Sequence, residues 1–162
     1  MYHCLLDTSS LVKRYQQEKG TSIINQLFER KDCFLNIVNL TIPEVIQTFY
    51  TLHRKGEINF SKREELKEIF MKDISEYILY VHNISDRNIA DVDRIFDISF
   101  QVSPKGRTPI SVIDTLIISV ASGIQKHFGS AYLFTSDWHM ERVASKLGVQ
   151  VVNPQKISSL TF

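Results

Sequence analysis

Two cysteines in 162 residues are too few for a disulfide scaffold. Cys4 and Cys33 each sit in a short apolar run that reads as a strand, and both are expected as buried free thiols. Four prolines and six glycines exclude a collagen-like or low-complexity chain. No uninterrupted apolar run reaches the roughly 18 residues of a membrane span, so no membrane association is expected. The N-terminal MYHCLLD has no basic stretch ahead of its apolar run, and Asp7 interrupts that run. No signal peptide is therefore expected, and the cytoplasm is the default location. An excess of one charge is also missing, since 19 Lys and Arg against 18 Asp and Glu leave a formal net charge of +1. Many nucleic-acid binders carry a strong basic excess, but a group of catalytic acids would hide local basic residues in the sum. The His and Cys residues show no zinc-site spacing.

What is present is ordinary for a globular protein, with 43% hydrophobic and 23% charged residues. A chain of this length fits one domain over 1–162, with no repeat and no linker. Strand-like runs at Tyr2–Leu6, Cys33–Val38, Ile78–His82, Ala131–Thr135 and Gln150–Val152 alternate with helix-like runs. The helical patterns cover Ser9–Gln17, Thr21–Lys31, Thr41–Lys55, Ser61–Tyr77, Ser85–Phe100, Ser111–His127 and Trp138–Leu147. Ser61 with Glu64 reads as a capping box. This alternation predicts a three-layer α/β/α fold with a central, mainly parallel sheet of about four to five strands. Ligands of such folds bind beyond the carboxyl ends of the strands.

Asp7 and Asp137 both follow predicted strands and so fall at that crevice. Glu44 and Asp114 lie early in helices, within Thr41-Ile42-Pro43-Glu44 and Ser111-Val112-Ile113-Asp114. Each of the four has a plain structural explanation. The last two fit capping boxes, and the first two could cap the helices that follow them. Asp114, however, is embedded in the apolar stretch ISVIDTLII with no basic residue within one turn. Burying a carboxylate there unpartnered is costly. Four carboxylates ~6 Å apart would repel by about 0.7–3 kcal/mol per pair, or roughly 4–17 kcal/mol together. That rivals the whole stability of a domain. A shared acidic site would therefore need cations, and hard oxygen ligands favour Mg²⁺ or Mn²⁺ over zinc.

The segments LLDTSSLVKRY, TIPEVIQTFY, SVIDTLIISVAS and LFTSDWHMERVASKLGVQVVNP resemble the four acid-bearing motifs of PIN domains, above all the VapC-type toxin ribonucleases. The likeness runs from Leu5 to about Pro154. It implies that Asp7, Glu44, Asp114 and Asp137 are metal ligands and catalytic residues. It implies that Thr8, Thr135 and Ser136 orient them, or a metal-bound water, from behind. It also implies Mg²⁺- or Mn²⁺-dependent RNA cleavage, a homodimer, and a small antitoxin partner. Trp138 and His139 stand where many relatives carry a further acid, and Thr115 stands where many carry a small residue.

Phosphate contacts need cations near the crevice. The candidates are Lys13 and Arg14, soon after Asp7, and Lys105 and Arg107, in the loop before Asp114. The expected function is a metal-dependent endoribonuclease, the toxin of a toxin–antitoxin pair. The alternatives are a housekeeping RNA-processing nuclease and a non-catalytic RNA-binding module on the same fold. A phosphatase using Asp7 as nucleophile would want a second Asp two residues on, where Ser9 stands.

Overall fold

The computed structural model describes residues 1–104 and 110–161. The chain begins with β1 (Tyr2–Leu6), a short α1 (Thr8–Leu11), a 3₁₀ turn (Val12–Arg14) and α2 (Thr21–Glu29). Next come β2 (Cys33–Val38), α3 (Thr41–Arg54), α4 (Phe60–Ser75) and β3 (Tyr80–His82). The second half runs α5 (Asp86–Ala90), α6 (Val92–Val102), α7 (Val112–Phe128), β4 (Ala131–Phe134), α8 (Trp138–Lys146) and β5 (Gln150–Val152).

The strands form one sheet in the order β3-β2-β1-β4-β5. Every neighbouring pair is parallel. The first strand lies at the centre, with Leu5 opposite Asn36 on one side and Leu133 on the other. Successive side chains leave a strand on opposite faces. Leu5, Val38 and Leu133 accordingly join one apolar core with Ile117, Ile118, Met140 and Val143. Cys4, Leu6, Leu35 and Ile37 join the other, with Leu11, Ile24, Val45, Phe49 and Phe70. Helices from the first half of the chain cover one face and helices from the second half cover the other. The three-layer arrangement follows, and the expected parallel sheet is found with five strands.

Several element boundaries differ from the sequence reading. The predicted helix Ser9–Gln17 is only four α-helical residues and then a 3₁₀ turn. The predicted helix Ser85–Phe100 is two segments meeting at Asp91. At α4 the cap is Asn59, whose side chain accepts from the Lys62 amide, so Ser61 is already inside the helix. Both thiols are free; Cys4 is buried and Cys33 partly so. Among the described residues no helix is long and apolar enough to cross a membrane.

Candidate active site

At the carboxyl ends of β1 and β4 lies a cavity of about 500 Å³. Asp7, Glu44, Asp114 and Asp137 all line it, with Thr8, Ser9, Lys13, Glu18, Thr48, Ser136 and Gln155 among the other residues of its wall. Sheet topology explains the meeting. The two central strands are adjacent, and the amide of Asp7 donates to the carbonyl of Phe134 at 3.1 Å. The residues that follow each strand therefore emerge side by side.

Asp7 is the most deeply held acid, 5% exposed. Its carboxylate accepts from the Thr135 hydroxyl at 2.7 Å, the Ser10 amide at 2.8 Å and the Ser9 hydroxyl at 2.9 Å. Burial nonetheless pushes its pKa up to about 6, against the lowering effect of those three donors, and the charge of Asp114 adds to the rise. Thr135 is fully buried and binds both ways, because its oxygen also accepts from the Asp137 amide at 3.0 Å. One threonine thus couples the first acid to the last.

Asp137 caps α8, accepting from the amides of His139 and Met140. Asp114 forms a true capping box with Ser111, each side chain taking the other's amide. Its pKa is raised by burial first, and the Asp137 charge adds to that against the bonds from Ser111. Capping and a place on the cavity wall therefore coexist in these two acids. Glu44 behaves differently. The N-cap position of α3 is Leu40, with no side-chain bond, and the Thr41 hydroxyl is buried without a hydrogen-bond partner. Glu44 instead accepts from the Thr8 hydroxyl, 36 residues away in sequence, at 2.6 Å. The expected capping box at Thr41 does not form.

The remaining predicted residues separate. Ser136 lines the cavity; its amide donates to the Ser9 hydroxyl, and its own hydroxyl is buried without a partner. Lys13 lines the cavity and is 2% exposed, with Nζ 3.2 Å from Glu18 Oε1. Arg14 is exposed, donates to Asn25 at 3.1 Å and lies over the Phe28 ring, outside that cavity wall. Lys105 and Arg107 lie outside the described residues. Ser9 and Glu18 were not singled out from sequence as site residues. The signal for Ser9 was a hydroxyl two residues after a capping Asp; Glu18 had none, because its partner is a buried lysine.

All charged donors that the cavity offers a cation are carboxylate oxygens, the ligand type of a hard divalent ion. Among the described residues no three His, Cys, Asp or Glu side chains are grouped tightly enough to hold an ion by themselves. The carboxylates are instead tethered to hydroxyls and amides around an open space. That suits an ion retaining several waters, as Mg²⁺ does. Burial is the main cause of the raised pKa of both Asp7 and Asp114, and a neighbouring acid adds to each, Asp114 to Asp7 and Asp137 to Asp114.

No protein-family model and no curated protein matches the sequence. Solved structures do match the fold. FitAcB from Neisseria gonorrhoeae superposes with a TM-score of 0.66 at 18% identity, over 95% of this chain and 99% of that one. DNA-bound VapBC from Salmonella typhimurium gives 0.61 at 18% identity, over 95% and 99%. VapC20 from Mycobacterium tuberculosis, described as a sarcin-ricin loop cleaving toxin, gives 0.54 at 13% identity, over 85% and 92%. With matches spanning nearly the whole chain, the protein has the fold of the VapC-type PIN domains that its four acid-bearing segments resemble.

Proposed function

We propose that the protein is a metal-dependent endoribonuclease and the toxin of a toxin–antitoxin pair. The observation that carries this reading is one open cavity, at the carboxyl ends of the central strands, lined by Asp7, Glu44, Asp114 and Asp137 from four separate segments, with Glu18 as a fifth acid paired to Lys13. A purely structural or binding role gains nothing from that repulsion. The structural neighbours, VapBC complexes and a sarcin-ricin loop cleaving toxin, support the same reading.

Asp7 and Asp114 would be the principal ligands for Mg²⁺ or Mn²⁺, and Glu44 and Asp137 would complete the set. When bound, the ion activates water and stabilises charge on the phosphodiester. The protein's own part is orientation. Thr135 and Ser9 fix the Asp7 carboxylate, Thr8 fixes Glu44, and the α8 amides fix Asp137. Lys13 supplies a cation within the same wall for a phosphate oxygen. A small antitoxin would hold the enzyme inactive, and a homodimer is the expected assembly.

The test is incubation with a panel of RNAs in Mg²⁺, Mn²⁺ or EDTA, with Asp114→Asn as control. Cleavage is expected only with a divalent ion and only with Asp114 intact. Cleavage that persists in EDTA, or in the variant at the full rate, would sink the proposal.

A further inference from the structure

Among the described residues, Lys13 is the one lysine or arginine that is buried. Lys13 leaves the 3₁₀ turn after α1, and its 2% exposure means that its stem is packed throughout. The desolvation of an ammonium so enclosed has to be offset by a partner. That partner is Glu18, at 3.2 Å, on the same cavity wall and itself 41% exposed. The pair thus reaches from the inside of the acidic cavity to its rim.

Glu18 is itself held by the fold. Its amide donates to the Thr21 hydroxyl at 2.9 Å, and its carbonyl accepts from the Thr21 amide at 3.1 Å. Thr21 opens α2, and the residue before it, Gly20, has φ +95°. A Cβ at Gly20 would stand 2.9 Å from the Pro154 carbonyl oxygen. The turn carrying Glu18 is therefore seated against the C-terminal segment, whose Gln155 also lines the cavity. The contacts run from Pro154 to Gly20, and from the adjoining Thr21 to Glu18 and on to Lys13, which brings one positive charge to a wall otherwise dominated by carboxylates.

We infer that Glu18 is a positioning residue: it fixes the Lys13 ammonium at the cavity wall, where the ammonium takes a non-bridging oxygen of the bound phosphodiester. The inference rests on the nuclease reading above. It has an unusual sign. Glu18 is a carboxylate at the mouth of a site for a polyanion, so charge alone says that its removal should help RNA. Positioning says the reverse, because a released ammonium either loses its orientation or turns toward the neighbouring acids.

The experiment compares Glu18→Gln, Lys13→Met and the double variant with the wild type. Each is measured for kcat/KM on a labelled single-stranded RNA in saturating Mn²⁺, and for Mn²⁺ affinity by calorimetry. Glu18→Gln is expected to lower kcat/KM by about 5- to 20-fold. Lys13→Met should cost at least as much, and the double variant no more than Lys13→Met alone. Mn²⁺ affinity should stay within about twofold, and the melting temperature of Glu18→Gln, a half-exposed position, should hold. Unchanged or faster cleavage by Glu18→Gln overturns the assignment and leaves the nuclease reading standing. Additive losses overturn it too, since the two residues would then act separately. A parallel fall in Mn²⁺ affinity also overturns it, making Glu18 a ligand. A wild type that cuts no RNA in any divalent ion overturns the nuclease reading and this assignment with it.

Discussion

Asp7 carries the largest local conflict in the site, between three donors that favour its charge and a burial that opposes it. Burial prevails, and the pKa rises from 3.8 to about 6. The folded protein therefore binds that proton more tightly than the unfolded chain. Below about pH 4 both states are protonated and the residue is neutral in the balance. As pH rises from 4 through 6 the unfolded chain gains the free charge first, so stability falls, and the penalty is complete above pH 6. Asp7→Asn removes this dependence. Its stability relative to wild type should improve by about 3 kcal/mol between pH 4 and pH 8, read by denaturant unfolding at each pH. A constant difference across that range would show that Asp7 is not strained by its setting. Thr135 belongs to the same scale. Thr135→Val leaves a fully buried carboxylate short of one donor and the Asp137 amide without its acceptor. Roughly 1–3 kcal/mol of stability should go, while Thr135→Ser, which keeps the hydroxyl, should recover most of it.

The elements show which local signals were sufficient and which were not. At α4 the cap is Asn59 and not Ser61. Asn59→Ala should cost about 0.5–2 kcal/mol and Ser61→Ala close to nothing, measured by thermal unfolding. At the start of α2, Gly20 combines a left-handed φ with a close approach to Pro154. Gly20→Ala meets both the strain and the contact, and a loss of about 1–3 kcal/mol is expected. At α3 and α7 the sequence offers the same pattern, a hydroxyl followed three residues later by an acid. Only Ser111 and Asp114 close into a box; Glu44 accepts from Thr8 instead. A four-residue window cannot distinguish these outcomes, because the competing partner lies in another segment altogether.

At the scale of the molecule, the site is a point where four segments meet and concentrate negative charge. A divalent ion that binds only the folded form stabilises it by mass action, about 2.7 kcal/mol at one hundred times its dissociation constant. Millimolar Mn²⁺ at pH 8 is therefore expected to raise the melting temperature of the wild type by several degrees. Asp114→Asn should lose most of that rise. Equal rises in both proteins would place the ion elsewhere.

The alternation of apolar strands and amphipathic helices was enough, by itself, to determine a parallel three-layer domain, because side-chain periodicity and the handedness of strand–helix–strand connections leave few other solutions. It also placed Asp7 and Asp137 at strand ends, since Asp7 follows an apolar run directly and Asp137 follows one after Thr135 and Ser136. What the tertiary structure alone decided was partnership. Strand order set β1 beside β4, so that Thr135 could join Asp7 to Asp137 across 128 residues of sequence. Packing buried Lys13, one of the two cations that follow Asp7 in sequence, and gave it Glu18 as its ion pair. Long-range hydrogen bonds and ion pairs leave no periodic trace along a chain, so they become visible only when the chain is folded.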